Sequence, residues 1–147
     1  MPDHEVVEIL LVEDNPTDAE LTMEALKEGG VGSRLLWVKD GAQALDYMFS
    51  RGSHAEGSPQ GRPKLVLLDL LLPKVDGLEV LEALKSNPAT RSVPVVVLTS
   101  SHEPRDVERS YQFGVNSFVS KPVHFETFAR VVAQLGQYWT RVNQAAG

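Results

Sequence analysis

Short apolar runs recur along the chain, separated by segments whose apolar residues repeat at helical spacing. The runs lie at residues 9–12, 35–38, 65–68, 93–98 and 118–119. Three of them lack the alternation of a half-buried strand, which is typical of parallel strands covered on both faces. The run at 35–38 is weaker and is expected nearer an edge. Strands that alternate with helices predict an α/β fold.

Five helices are predicted after these runs. The first begins at Asn15 and Pro16, where asparagine can cap and proline can occupy the first turn, and ends at Gly29-Gly30. The others show apolar residues at Ala42, Leu45, Met48 and Phe49; at Leu78, Leu81 and Leu84; at Val107 and Tyr111; and at Phe125, Phe128, Val132, Leu135, Trp139 and Val142. Five βα units with right-handed crossovers predict an open, doubly wound, five-stranded parallel sheet.

All five units belong to one expected domain, residues 1–147, with a core at about 7–142 and no output domain. Residues 52–63 are rich in Gly, Ser and Pro and predict an exposed loop. Its length is more typical of a tolerated insertion than of a binding element. The four histidines lack metal-ligand spacing, so surface or loop positions explain them: His4, His54, His102 and His124.

Composition narrows the classes of function. The chain has 147 residues, no Cys, and 14 Lys and Arg against 20 Asp and Glu, for a net charge of −6. The missing cysteines exclude disulfides and thiol nucleophiles and fit a reducing compartment. The acidic balance argues against DNA binding, and no apolar stretch approaches the ~18 residues of a membrane span. We therefore expect a cytoplasmic protein that binds neither DNA nor membranes.

Polar residues follow four of the runs, at the sheet edge where open α/β proteins bind ligands. They are Glu13 and Asp14, then Asp69, then Thr99 and Ser100, then Lys121 and Pro122. Neighbouring carboxylates repel by about 4 kcal/mol per pair at 4 Å, and Lys121 offsets only one charge. A hard divalent cation, Mg²⁺ above all, suits this set. Each acid alone is more simply a solvated strand-end residue, but that explanation is weak for all of the positions together.

Four segments resemble the signature segments of response-regulator receiver domains. They are residues 9–15 (ILLVEDN), 67–77 (LLDLLLPKVDG), 97–101 (VLTSS) and 120–122 (SKP). The resemblance spans about residues 7–142 and implies a flavodoxin-like (βα)5 sheet of strand order 2-1-3-4-5. The Asn-Pro-Thr-Asp opening, the 52–63 loop, residues 114–118 and Tyr138-Trp139 are similar to single-domain regulators that are paired with bacterial phytochrome-type histidine kinases.

The resemblance implies a signalling protein that accepts a phosphoryl group on Asp69 from a kinase phosphohistidine. It is expected to be no enzyme beyond its own phosphotransfer and slow autodephosphorylation. Asp14, Asp69 and the backbone carbonyl of Leu71 would bind Mg²⁺, with Mn²⁺ as a substitute, while Glu13 acts mainly through water. The modified protein would signal through phosphorylation-dependent protein contacts.

Lys121 and Thr99 would each bind a phosphoryl oxygen, by the same resemblance. The phosphoryl group would draw the Thr99 hydroxyl inward, and Phe118 would occupy the space that opens. Phe118 stands where the family often has tyrosine, and an ordinary apolar strand residue explains it equally well. Pro122 would shape the loop that presents Lys121, with a trans bond as the default.

Two features predict lifetime and partners. By the same resemblance, Leu71 and Ser101, two residues beyond the acceptor and the threonine, would flank the route of attacking water, and leucine cannot activate that water. We therefore predict a phosphorylated state that is not especially short-lived. The fifth helix has a wide apolar face near its end, formed by Val131, Tyr138, Trp139 and Val142. This face predicts a homodimer or a docking site, with packing onto the same domain as an equal alternative.

Three other functions are alternatives for this sequence. A phosphatase with an aspartate nucleophile would share the metal, threonine and lysine, but it needs a second aspartate where this chain has Leu71. A flavodoxin-like FMN binder needs a phosphate cradle, whereas Glu13 and Asp14 would repel that ligand. A docking module with an inactive acceptor site is opposed by the intact set of site residues but stays open.

Overall fold

The computed structural model describes residues 7–50 and 62–146. Across these ranges five strands and five helices alternate. They are β1 (Ile9–Val12), α1 (Pro16–Glu28), β2 (Leu35–Val38), α2 (Gly41–Met48), β3 (Leu65–Leu68), α3 (Gly77–Ser86), β4 (Val95–Thr99), α4 (Pro104–Gln112), β5 (Ser117–Ser120) and α5 (Phe125–Gln137), which a π-helical turn (Tyr138–Val142) continues. The predicted fold class is confirmed. Most of the predicted 52–63 loop, with His54, and also His4 lie outside the described residues.

The strands form one parallel sheet in the order β2-β1-β3-β4-β5. The three central strands are buried along their whole length, whereas the two edge strands are mostly half-buried. Continuous Leu and Val runs suit central parallel strands because helices cover both of their faces. The predicted edge position of residues 35–38 is confirmed.

Alternate residues of each central strand enter two separate core layers. In β1, Leu10 and Val12 pack with the apolar faces of α2 and α3, whereas Ile9 and Leu11 pack with those of α1 and α5. This alternation follows from the pleat, which points successive side chains to opposite faces of the sheet. Helices therefore pack on both faces of the sheet, and the loops that follow the strands begin at its carboxyl edge.

Local sequence explains two element boundaries. The Asn15 side chain accepts a hydrogen bond from the Asp18 amide at 3.0 Å, and Pro16 is the first residue of α1, as predicted. The apolar run at 93–98 becomes a strand only from Val95, because the preceding Pro94 has no N–H to donate to a sheet ladder.

Two predicted helical faces differ from the packing that the structure shows. In α4, the predicted residue Tyr111 is 54% exposed, and the buried residue is Ser110. In the C-terminal region, Phe128 and Val132 are buried as their spacing suggests, whereas Phe125 and Val142 are exposed. Spacing identifies a helix but not how far each apolar residue reaches the core. No helix within the described ranges is both long enough and apolar enough to cross a membrane.

Candidate functional site

Strand pairing brings the predicted site residues to one edge of the sheet. Val12 pairs with Leu68 between β1 and β3, and Leu68 pairs with Val97 between β3 and β4. Because the strands are parallel and in register, the residues that end them lie side by side. The expected adjacency of the first, third and fourth strands is confirmed.

The Lys121 ammonium is the centre of the site. Its Nζ lies 2.8 Å from Glu13 Oε1, 2.8 Å from Asp18 Oδ2 and 2.9 Å from Asp69 Oδ2. The lysine side chain is only 9% exposed. A protonated lysine has three N–H donors and no acceptor, so these three carboxylates use its whole hydrogen-bonding capacity.

Three carboxylates face one ammonium, so the cluster carries excess negative charge. Burial raises the pKa of Glu13 to about 7; the Asp69 charge adds to this rise, and the hydrogen bond from Lys121 opposes it. Burial by itself lowers the pKa of Lys121, but its hydrogen bonds to Asp18, Glu13 and Asp69 outweigh that effect and raise the pKa overall. Lys121 therefore stays charged, and Glu13 can accept a proton near neutral pH.

Asp69 is buried and held at both carboxylate oxygens. Oδ1 accepts a hydrogen bond from Thr99 Oγ1 at 2.7 Å and from the Leu71 amide at 3.0 Å, while Oδ2 faces Lys121. The loop after Asp69 is drawn tightly over α3, where a Cβ on Gly77 would lie 2.5 Å from the Asp69 carbonyl oxygen. A glycine is thus required for the loop that orients this carboxylate.

Asp18 and Trp37 also belong to the site, but neither lies at the end of a strand, where the sequence predicts the site residues. Asp18 is in the first turn of α1 and points its carboxylate at Lys121. Trp37 of β2 donates from Nε1 to the Glu13 carbonyl at 2.7 Å, which fixes the end of β1. A usable signal existed for the tryptophan, because a buried indole N–H requires an acceptor.

The predicted metal ligands differ in burial: Glu13 and Asp69 are buried, whereas Asp14 is exposed. Asp14 is exposed and lies outside the contacts of Lys121, while the Leu71 side chain is 55% exposed. Within residues 7–50 and 62–146, no group of three or more acidic, histidine or cysteine side chains has metal-binding geometry. The donor chemistry nevertheless fits a hard divalent cation, because oxygen ligands and excess negative charge lie together and Lys121 does not engage Asp14.

A hydrogen-bonded chain links the site to α4. The Ser101 amide donates to Thr99 Oγ1 at 3.3 Å, and Ser101 Oγ donates to Asp106 Oδ2 at 2.6 Å. Asp106 is in the first turn of α4, and its backbone carbonyl accepts from Ser110 Oγ. The threonine beside Asp69 is therefore connected through polar contacts to α4, a helix in which Ser110 is the one buried residue.

Other predicted residues lie around this centre. Phe118 is half-buried and packs against the core layer of α2 and α3. No described peptide bond is cis, so the bond before Pro122 is trans. His102 and His124 are exposed, as expected for histidines without a ligand role.

Comparison with known proteins gives a consistent family. The family described as the response regulator receiver domain matches residues 9–133. The response regulator Rcp1 of Synechocystis sp. is 41% identical over 131 residues, which cover 89% of this chain and 87% of Rcp1. The probable methanogenesis regulatory protein FilR2 of Methanothrix harundinacea is 45% identical over 139 residues, covering 95% of this chain and 87% of FilR2.

Solved structures agree. The phosphorylated cyanobacterial phytochrome response regulator RcpA superposes with a TM-score of 0.88 at 36% identity, covering 97% of this chain and 100% of RcpA. The Mn²⁺-bound form of Rcp1 superposes with a TM-score of 0.86 at 39% identity, covering 95% of this chain and 98% of that one. One of these neighbours is phosphorylated and the other holds a divalent metal ion.

Proposed function

Because this chain belongs to the response regulator receiver domain family, we propose that Asp69 is its phosphoryl acceptor and that a histidine kinase supplies the group. The observation that carries this proposal is the placement of Asp69. Asp69 is 4% exposed and directly follows the central strand β3. Its carboxylate lies between the hydroxyl of Thr99 and the ammonium of Lys121. Both donors are positioned to stabilise oxygens of a transferred phosphoryl group.

The proposed step is a nucleophilic transfer. A carboxylate oxygen of Asp69 forms a bond to phosphorus, the bond between phosphorus and the kinase imidazole nitrogen breaks, and that nitrogen keeps the electron pair. Lys121 and Thr99 then each donate to a phosphoryl oxygen. The protein needs to align the groups and offset their charge, and the buried, hydrogen-bonded site does both.

Receiver domains bind a divalent metal ion, and we propose Mg²⁺ here, with Mn²⁺ as a working substitute. Asp14, Asp69 and the carbonyl of Leu71 would hold it, while Glu13 would act mainly through bound water. When present, the ion supplies positive charge next to the phosphoryl oxygens. The excess negative charge around Lys121 supports this assignment.

The proposed output is a change in the preferred position of α4. In this structure the Thr99 hydroxyl bonds to Asp69 Oδ1. A phosphoryl group would bind that hydroxyl instead, Phe118 would adjust in the core beside it, and the contact between Ser101 and Asp106 would carry the change to α4.

We further propose a phytochrome-type kinase as the partner and slow autodephosphorylation, with no other turnover. Similarity to the cyanobacterial phytochrome response regulator RcpA supports the partner. FilR2, which is 45% identical to this chain, is named for a different process, so phosphotransfer from a purified phytochrome-type kinase is the direct test. The exposed, apolar side chain of Leu71 supports slow hydrolysis.

A homodimer through the C-terminal part of the chain is a separate proposal. Tyr138 is 48% exposed and Val142 is 66% exposed, and the two lie together on the π-helical turn. Exposed apolar residues of this kind are typical of association surfaces. Sedimentation velocity of the protein and of a Tyr138→Ser, Val142→Ser variant tests it: a monomeric wild type would contradict it.

The mass of the intact protein tests the acceptor. After incubation with acetyl phosphate and Mg²⁺, wild type is expected to gain one phosphoryl group. Asp69→Asn and wild type without the metal are expected to gain none. Glu20→Gln, at an exposed position of α1 outside the site, is the matched control and should be labelled like wild type. If wild type is unlabelled while a known receiver is labelled, the chain is a docking module.

A further inference from the structure

Asp18 is the least buried of the three carboxylates that hold Lys121. Its side chain is 34% exposed, whereas those of Glu13 and Asp69 are 4% and 5% exposed. It is in the first turn of α1, where the Asn15 side chain caps its amide. The carboxylate of Asp18 therefore reaches into the site from its solvent side.

An arriving phosphoryl group meets a lysine without a spare donor. All three N–H groups of Lys121 point to carboxylates, at 2.8 to 2.9 Å. For Lys121 to bind a phosphoryl oxygen during the attack, one carboxylate must give up its hydrogen bond. The three candidates differ in what that loss involves.

Asp69 is the nucleophile, and the hydrogen bond from Lys121 holds its Oδ2 in place as the attack begins. The Glu13 side chain is buried, so solvent cannot readily replace the hydrogen bond that it would lose, and the Asn15 amide would be its remaining donor. Asp18 is different, since water and the N-terminal end of α1 can both stabilise its carboxylate after Lys121 leaves. Asp18 also carries a negative charge that repels a phosphoryl group near Lys121.

We infer that Asp18 is a positioning residue that restrains Lys121 in the unmodified protein and yields it to the phosphoryl group as Asp69 is modified. The inference rests on the proposed function of Asp69. The ion pair between Asp18 and Lys121 stabilises the unmodified state and so opposes phosphorylation. Removing the carboxylate of Asp18 therefore favours modification.

The test compares Asp18→Asn and Asp18→Ala with wild type, with Glu20→Gln as the matched charge control on the same helix. Acetyl phosphate and Mg²⁺ supply the group: the Asp69 oxygen bonds to phosphorus, the phosphorus–oxygen bond to acetate breaks, and acetate leaves with the electron pair. The rate of labelling is followed by intact mass. The Kd of beryllofluoride with Mg²⁺, a noncovalent phosphoryl mimic, is measured separately.

Both Asp18 variants are expected to label about fivefold faster and to bind beryllofluoride about fivefold more tightly, the scale of one partly exposed charge pair. Asp18→Glu should return both values toward wild type, and Glu20→Gln should match wild type. Thermal unfolding shows whether the variants stay folded. A residue with a merely structural role would lower labelling and binding when it is replaced, not raise them.

Outcomes separate this inference from the proposed function. If wild type is labelled, Asp69→Asn is not, and the Asp18 variants label no faster than wild type, the role of Asp18 is wrong and the acceptor stands. If wild type neither takes up the group nor binds beryllofluoride, the acceptor is wrong and the role of Asp18 falls with it.

Discussion

Helices α1 and α4 are held to the molecule in different ways. Helix α1 buries Ala19, Ala25 and Leu26 against the sheet and α5, and α5 approaches so closely that a Cβ on Gly136 would lie 2.5 Å from Leu26 Cδ2. Helix α4 buries only Ser110. Its first turn is instead tied to the site by hydrogen bonds.

The difference separates a fixed element from a movable one. The apolar burial of α1 contributes a large stabilisation, which a change in hydrogen bonding at the site is too weak to overcome. The polar ties of α4 contribute about 1 kcal/mol each and include the link from Thr99 through Ser101 to Asp106. Changing the partner of Thr99 can therefore shift α4, while α1 keeps Asp18 in reach of Lys121.

The largest expected effect comes from truncating one large side chain on each of the two helices. Leu26→Ala should lower the free energy of unfolding by about 2–5 kcal/mol, because Leu26 is fully buried and the closely packed site cannot collapse around the cavity. Tyr111→Ala on α4 should change it by no more than about 0.5 kcal/mol. Urea denaturation measures both. Equal losses would show that α4 is packed as firmly as α1.

A pH dependence is expected for the buried site. Burial raises the pKa of Glu13 from 4.5 to about 7, so the folded protein binds this proton more tightly than the unfolded chain does. The free energy of unfolding of metal-free wild type should therefore rise relative to that of Glu13→Gln as the pH falls from about 8 to about 5.5, by about 2 kcal/mol.

The control for this pH effect is Glu108→Gln, at an exposed position of α4. Its free energy of unfolding should follow the wild-type pH dependence throughout, measured by urea denaturation in the presence of a chelator. A wild-type curve parallel to that of Glu13→Gln would mean that Glu13 titrates like an exposed glutamate.

Removing the hydrogen bond between Ser101 and Asp106 is expected to have a smaller effect on stability. Ser101→Ala removes the donor to Asp106 and should lower the free energy of unfolding by about 1 kcal/mol. Amide hydrogen exchange should speed up in α4 and stay unchanged in α1. Ser100→Ala, at the exposed neighbouring position, is the control. Faster exchange in both helices would point to general destabilisation instead of a local tie.

The same contrast explains what the sequence could predict. Strands β1 and β3 are unbroken apolar runs, so their burial follows directly from residue type. Because each strand ends where its apolar run ends, the positions of the polar residues that follow are also predictable. In α4, two apolar residues four apart indicate a helix, but too few apolar groups are present to define which face packs. The buried residue of α4 is the polar Ser110, whose hydroxyl donates to the Asp106 carbonyl. Hydrophobic periodicity does not identify a buried polar residue.

Within the site, the sequence predicts that residues at strand ends lie together, but not which residues reach in from other elements. Glu13 and Asp69 follow buried strands, Thr99 ends one, and sheet register brings the three together. Asp18 is brought to Lys121 by the direction in which α1 leaves β1, which depends on packing against α5. Sequence spacing places Asp18 in a first helical turn but does not show which neighbour its carboxylate faces.

The smallest expected effect on stability is at Leu71, the exposed apolar residue beside Asp69. Leu71→Asn should change the free energy of unfolding by no more than about 0.5 kcal/mol, because the side chain is 55% exposed and the amide that bonds to Asp69 is kept. It should shorten the lifetime of the phosphorylated state, since asparagine can orient a water molecule toward phosphorus and leucine cannot. Intact mass followed over time after acetyl phosphate is removed measures that lifetime. Rapid decay in wild type that is equally rapid in Leu71→Asn would show that water reaches phosphorus by a route that does not pass this residue.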